Sequence, residues 1–178
     1  MQDISDDILR KASQGDLASF EVIYKATSEF VYNVAFRIVN QREDAEEVTQ
    51  EVFLIVYQKL KSFRFESSFK TWVYRITANS AINFAKKNGK KTMEYNEQVA
   101  GTVQNDTHKE IEREHQGKIV EQLLEAINPE QRACVTLRNM EGLSYQEIAK
   151  VLRININTVR SRLKRAREKL LSLKKASG

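Results

Sequence analysis

"LSYQEIAKVLRININTVRSRLKRAREKL", residues 143–170, decides the reading of this chain. Ser144 and Glu147 have the spacing of a capping box, in which the hydroxyl serves one free amide of the first turn and the glutamate reaches back to the other. Ile148, Ala149 and Leu152 follow on one face, with a small residue where two helices would cross closely. A break at "RININ" precedes a second helix, expected to be capped by Asn157 or Thr158. Its apolar stripe is Val159, Leu163, Ala166 and Leu170. The opposite side carries Asn157, Ser161, Lys164 and Arg165, flanked by Thr158 and Arg162 on one edge and Arg160 and Arg167 on the other. This is the layout of a DNA-recognition helix, whose first residues reach base edges while flanking cations hold phosphates. A basic helix by itself is more often a solvated surface; the capping box, the inward alanine and the short turn together favour a helix-turn-helix. Arg153 stands at the turn position that often holds glycine, and an L-residue in a left-handed turn costs about 1–2 kcal/mol.

Working outward, the rest of the chain is also helical in pattern. Ser5 and Asp16 are expected N-caps, and Gly15-Asp16 a turn. Phe20, Ile23, Tyr24, Phe30, Val31, Val34, Ala35 and Ile38 recur at helical spacing, as do Val48, Val52, Ile55, Val56 and Leu60 after the polar break "NQRED". A fourth helix over "SSFKTWVYRITANSAINFAKK" is expected to end at Asn88-Gly89. Residues 92–117 lose periodicity and read as a tether. Asn128-Pro129 is a cap followed by proline at the first helical position, and that helix is expected to stop at Gly142. The fold class is therefore all-α: two small helical domains, 1–91 and 118–178, joined by a flexible linker at 92–117.

The net charge of +5 conceals a strong alternation. Residues 1–60 carry −5, residues 61–91 carry +7, residues 92–131 carry −6 and residues 132–178 carry +9. Two basic blocks suit one polyanion touched at two places, and the acidic blocks suit another partner. The single cysteine rules out an internal disulfide framework. "MQDISDDILR" lacks the apolar core of a signal peptide, and no apolar run approaches a membrane span, so a cytoplasmic chain without membrane insertion is expected. His108 and His115 have no third ligand nearby and no phosphate loop or nucleophile constellation is evident, so neither cofactor, metal nor enzymatic activity is expected.

The first basic block mixes Phe63, Phe65, Phe69, Trp72 and Tyr74 with Lys61, Arg64, Lys70 and Arg75. Rings on which bases stack, interleaved with cations that follow a backbone, suit single-stranded DNA. Phe69 and Trp72 align with Val73 and Ile76 and read as core; Phe63 and Phe65 precede the helix and are the better candidates for bases. Arg75, Asn79, Asn83 and Lys86 form a continuous stripe along the helix. In "EDAEEVTQE", Asp44, Glu47 and Glu51 make an acidic edge unsuited to DNA but suited to a basic protein surface.

On these segments the chain resembles the bacterial RNA polymerase sigma factors of the extracytoplasmic-function group, in the sigma-70 family, which retain only regions two and four. "EDAEEVTQEVFLIVYQKLKSF" is similar to the region-two helix that docks on the coiled coil of the polymerase largest subunit. "SSFKTWVYRITANSAINFAKK" resembles the segment that melts and reads the minus-ten element. "LLEAINPEQRACVTLRNMEGLSYQEIAKVLRININTVRSRLKRAREKL" resembles region four, whose last helix reads the minus-thirty-five element. Asn128 stands where the family more often has leucine. The resemblance implies a promoter-specificity subunit whose partners are core RNA polymerase, duplex and single-stranded promoter DNA, and an anti-sigma factor. It implies duplex contacts by Asn157, Thr158, Arg160, Ser161, Arg162, Lys164 and Arg165. It implies minus-ten contacts by Phe63, Arg64, Phe65, Ser67, Lys70, Arg75, Asn79, Asn83 and Lys86, and polymerase docking by Asp44, Glu47, Gln50, Glu51 and Phe53. The alternative is a free-standing helix-turn-helix repressor or activator, which would bind duplex DNA tightly without polymerase.

Overall fold

Most of the helices start where a side chain replaces the missing intrahelical partners of the first turn; the helix that follows Gln41 starts without such a bond. In the computed structural model, which describes residues 4–95 and 123–176, Ser5 caps α1 (Asp6–Ser13) by accepting from the Ile8 amide. Gly15, at φ +97°, turns the chain, and Asp16 caps α2 (Leu17–Val39) by accepting from the Ser19 amide at 2.9 Å. Asn40 closes α2 in the left-handed conformation, φ 64°, and α3 (Arg42–Lys59) follows after one more residue. A single 3-10 turn, Leu60–Ser62, leads into the 63–68 loop. Ser68 accepts from the Thr71 amide at 3.1 Å at the start of α4 (Phe69–Tyr95).

Helix α4 does not stop at Asn88-Gly89 as its sequence suggests, but continues through both residues to Tyr95. A glycine inside a helix costs about 1 kcal/mol relative to alanine, which is too little to end a helix continued by good formers such as Lys90 and Lys91. The tether expected from residue 92 thus has its first four residues in α4, and residues 96–117, with His108 and His115, lie outside the described residues.

The C-terminal helices are α5 (Pro129–Asn139), α6 (Tyr145–Leu152) and α7 (Ile156–Ala176). Asn128 and Gln131 form a reciprocal capping box at α5, at 2.9 and 3.0 Å, with Pro129 at the first helical position as expected. Gly142, at φ +67°, turns the chain toward α6.

Helices α1–α4 bury Ile23, Val31, Val34, Ile38, Val48, Val52, Val56, Leu60, Val73 and Tyr74. Ile55, expected on the same stripe, is half-buried. The buried cluster runs on without a break into Ala133, Cys134 and Leu137 of α5, Ile148 and Val151 of α6, and Val159 of α7. Helix α5 packs on α2 and α4, and α6 packs on α4. The N- and C-terminal helical units are therefore packed together through a shared apolar core. The seam between them contains a cleft of about 360 Å³ between α2 and α5, lined by Lys25, Glu29, Arg37, Thr136 and Glu141 among others.

Candidate nucleic-acid and polymerase interfaces

The helix-turn-helix is built by local chemistry. Ser144 Oγ accepts from the Glu147 amide at 3.2 Å, and Glu147 Oε2 accepts from the Ser144 amide at 2.7 Å. The Ser144 hydroxyl and amide hold the Glu147 carboxyl below its ordinary range. Arg153 ends α6 in the left-handed conformation, φ 54° and ψ 45°, as the sequence required. One expectation needs correction: α7 is capped by Asn155, whose Oδ1 accepts from the Asn157 amide at 2.8 Å, and not by Asn157 or Thr158. The helix opens at Ile156, so Asn157 and Thr158 sit inside its first turn. Val159 and Ala166 are buried and Leu163 and Leu170 half-buried, which turns the other side of α7 outward.

Asn157, Arg160, Ser161, Lys164 and Arg165 are exposed on α7, and Thr158 is half-buried. Arg160 donates to Asn157 Oδ1 at 3.2 Å, and Lys164 lies 3.8 Å from Glu168. Arg162 turns toward α5, where it interacts with Cys134 and Glu130. Cys134 is fully buried, and burial pushes its thiol up to about 11 against the opposing pull of Arg162. It is a packing residue and not a reactive thiol.

The 63–69 loop is an aromatic nest. Phe63 is half-buried, with ring centroids 4.7 Å from Phe65, 5.2 Å from Trp72 and 5.8 Å from Phe69. Phe65 stands apart: it is 41% exposed and held at φ 58°. A bulky L-residue there costs on the order of 1–3 kcal/mol and persists only where surrounding structure imposes it. The Arg10 guanidinium lies 5.3 Å from the Phe65 ring centroid. A depression of about 370 Å³ opens beside the loop, lined by Ile4, Asp6, Leu9, Phe63, Phe65, Ser67, Ser68, Phe69 and Lys70. The contribution of α1 to this depression has no local sequence signal, since it depends on where α1 packs. Arg64 is exposed, 3.9 Å from Glu66.

Several polar side chains of α4 have partners within the chain. Lys70 lies 3.7 Å from Glu141, and Lys86 lies 2.7 Å from Glu130. Asn79 Nδ2 donates to the Arg75 carbonyl at 2.6 Å and to the Val151 carbonyl of α6 at 3.2 Å. Arg75 Nε is buried without a hydrogen-bond partner, and Asn83 is exposed.

On α3, Glu47, Gln50 and Glu51 are exposed, while Asp44 is half-buried. Burial pushes the Asp44 carboxyl up, reinforced by the charges of Glu47 and Glu43, against a hydrogen bond with Asn88. Phe53 is not on this surface: it is 7% exposed and its ring centroid lies 4.6 Å from that of Tyr24. The apolar side chains that are on it, and that the sequence reading missed, are Leu54, 64% exposed, and Tyr57, 46% exposed. Positions 47, 50, 54 and 57 follow 3-4-3 spacing, so these two could have been found as large apolar residues lying off the core stripe.

Comparison with known proteins places the chain in a family. Residues 23–91 match the family model for sigma-70 region 2, and residues 117–170 match that for sigma-70 region 4. The RNA polymerase sigma-H factor of Pseudomonas aeruginosa is 30% identical over 177 residues, covering 94% of this chain and 92% of that protein. The ECF RNA polymerase sigma-E factor of Escherichia coli K12 is 32% identical over 178 residues, covering 94% and 93%. Among solved structures, CnrH in complex with the cytosolic domain of CnrY shares the fold with a TM-score of 0.68, at 20% identity, over 96% of this chain and 97% of that one. The sigma factor RpoE of Bartonella quintana, in complex with the anti-sigma factor NepR, has the same TM-score at 22% identity, over 88% and 96%. The chain belongs to the extracytoplasmic-function group of the sigma-70 family: it is an alternative sigma factor, which directs RNA polymerase to start transcription at particular promoters.

Proposed function

We propose that the chain grips promoters at two points and has no catalytic chemistry of its own. Helix α7 enters the major groove of the minus-thirty-five element, with Asn157, Thr158, Arg160, Ser161, Arg162, Lys164 and Arg165 on bases and phosphates. The 63–69 loop and α4 take the separated minus-ten strand, with Phe63, Arg64, Phe65, Ser67, Lys70, Arg75, Asn79, Asn83 and Lys86 contributing. Unstacking a base costs a few kcal/mol, offset by stacking on the exposed Phe65 ring and seating in the adjoining depression. Core RNA polymerase docks on the outer face of α3, through Asp44, Glu47, Gln50 and Glu51. Leu54 and Tyr57 supply the buried centre that Phe53 cannot reach from the core.

The observation that carries this reading is the exposed polar and cationic row on the first half of α7, presented by a helix-turn-helix whose caps and left-handed turn are all formed. The division into an N-terminal unit that runs to the end of α4, a tether and a C-terminal unit, with the tether's start moved from residue 92 to the end of α4, belongs to the same proposal, as does action in the cytoplasm. The sigma factor RpoE, which shares this fold, is in complex with an anti-sigma factor, and such a factor is the regulator proposed here. The test is transcription by purified core polymerase on a promoter library, with and without the chain. Chain-dependent initiation clustered on a common minus-ten and minus-thirty-five pair is the expected result; duplex binding by the free chain with no effect on initiation would refute it.

A further inference from the structure

Phe65 is held by a helix that lies far from it in sequence. Its backbone sits at φ 58° and its side chain is exposed, with the Arg10 guanidinium of α1 5.3 Å from the ring centroid and the Phe63 ring 4.7 Å away. A bulky residue at positive φ persists only where its surroundings impose it, and these two contacts are such surroundings. Asp6 and Arg10 are four residues apart, on one face of α1. The same spacing pairs Asp7 with Lys11 at 2.7 Å. No ion pair joins Asp6 to Arg10 among the described residues; Arg10 turns to the ring, and Asp6 lines the depression of about 370 Å³ beside it.

The polar groups that line this depression are not equivalent. The Ser68 hydroxyl is engaged with the Thr71 amide and hydroxyl, at 3.1 and 2.8 Å, and Lys70 lies 3.7 Å from Glu141. Asp6 and Ser67 line it too, and among the described residues their side chains have neither an ion pair nor a hydrogen bond. A carboxylate is out of place on a surface meant only for phosphates, because like charges repel. It suits a base edge, where it accepts from an exocyclic amine.

We propose that Asp6 determines specificity in the minus-ten grip: with Ser67 it reads the edge of the unstacked base and selects cytosine or adenine over thymine or guanine, while Arg10 is a positioning residue that holds Phe65 as the stacking wall of the same seat. The proposal rests on the reading of the 63–69 loop given above and adds α1 to it. Stacking on Phe65 is indifferent to the base, since every base has a π-face, so the ring supplies a seat without selectivity. Cytosine and adenine place an amine beside an unprotonated ring nitrogen, which matches a carboxylate that accepts and a hydroxyl that donates. Thymine and guanine place a carbonyl oxygen beside a ring N–H and reverse both, leaving the carboxylate facing an oxygen. A site built to hydrogen-bond one edge rejects the base that leaves its polar groups unpaired.

The test reads selectivity apart from affinity. Core polymerase with the full chain is offered bubble promoters whose minus-ten segment is unpaired and randomised on one strand, and the retained strands are sequenced. The native chain is expected to enrich cytosine and adenine over thymine and guanine at least five-fold at one position. D6N, which can donate as well as accept, should reduce that enrichment to two-fold or less and leave the other positions unchanged. D7N, in the same helical turn but outside the depression, should match the native chain. A preference unchanged in D6N, or lost equally in D7N, overturns the role of Asp6. If D6N loses helix content by circular dichroism, S67A is read instead: a halved enrichment supports the seat, and an unchanged one overturns it. For Arg10, total retention is measured. R10A should lower it at least three-fold without changing the enrichment, R10K should restore most of it, and R10A should cost nothing further in F65A. A further loss in F65A would place Arg10 on the DNA itself and overturn its positioning role. If the native chain with polymerase retains no bubble, the promoter reading falls and this proposal with it; if bubbles are retained without an amino-base preference at any position, only the role of Asp6 falls.

Discussion

Replacing Arg153 by glycine is expected to stabilise the chain, and the size of the effect follows from one backbone angle. Arg153 is exposed and holds φ 54°, ψ 45° at the turn between α6 and the recognition helix. A non-glycine residue there costs about 1–2 kcal/mol. Glycine removes that strain but loses about 0.5–1 kcal/mol more conformational entropy on folding. The balance favours glycine by about 0.5–1 kcal/mol. Alanine at the same position keeps the strain and lacks the side chain, so Arg153→Ala separates the side chain's own contribution from the backbone's. For a unit of this size each kcal/mol moves the melting temperature by roughly 2–4 °C, so Arg153→Gly should melt about 1–4 °C above Arg153→Ala. Thermal and urea unfolding followed by helical circular dichroism measure it. A glycine variant no more stable than the alanine variant would refute the reasoning, because the turn would then not be left-handed in solution.

Three further outcomes are expected. Glu47→Lys, at an exposed position on α3, should abolish co-elution with core polymerase while leaving the melting curve unchanged; a folded variant that still co-elutes removes the docking face. Phe65→Ala should lower open-complex formation, scored by permanganate reactivity of unpaired thymines, about 5- to 150-fold, the equivalent of losing about 1–3 kcal/mol of stacking. Its duplex binding through α7 should be untouched, and equal loss in both assays would place Phe65 outside the melting step. The contact between the units should weaken in acid: a carboxyl held below its ordinary range, as Glu130 is between Lys86 of α4 and Arg162 of α7, contributes stability above its unfolded pKa. That contribution is lost as pH falls through the folded value, which lies below the ordinary glutamate range. Scattering at neutral and acid pH should show expansion before helix content is lost, and a chain equally compact at both would contradict it.

Much of the secondary structure is legible because its causes are local. The boxes Ser144–Glu147 and Asn128–Gln131 each act across three residues, and Arg153 stands at the turn position of the helix-turn-helix pattern that often holds glycine. Local reading fails where two local choices are close in energy. Asn155 and Asn157 are both competent caps two residues apart, and the structure uses the first. Gly89 carries a stop signal that about 1 kcal/mol cannot enforce, and α4 runs past it. Phe53 borders the core stripe of α3, and the aromatic ring it packs against, Tyr24, lies on another helix, so its inward position has no local signal.

The sequence by itself determined the all-helical class, the helix-turn-helix and the alternation of charge, because periodicity, capping and composition act within a few turns of chain; the family rests on the resemblance of its motifs. It named Lys70, Asn79 and Lys86 as DNA contacts without showing what else they touch. Only the tertiary structure decided that Glu141, the Val151 carbonyl and Glu130 cover them. Those partners lie 71, 72 and 44 residues away along the chain, and their meeting depends on how two amphipathic units bury their remaining apolar faces against each other. That choice is made by packing, and no local pattern encodes it.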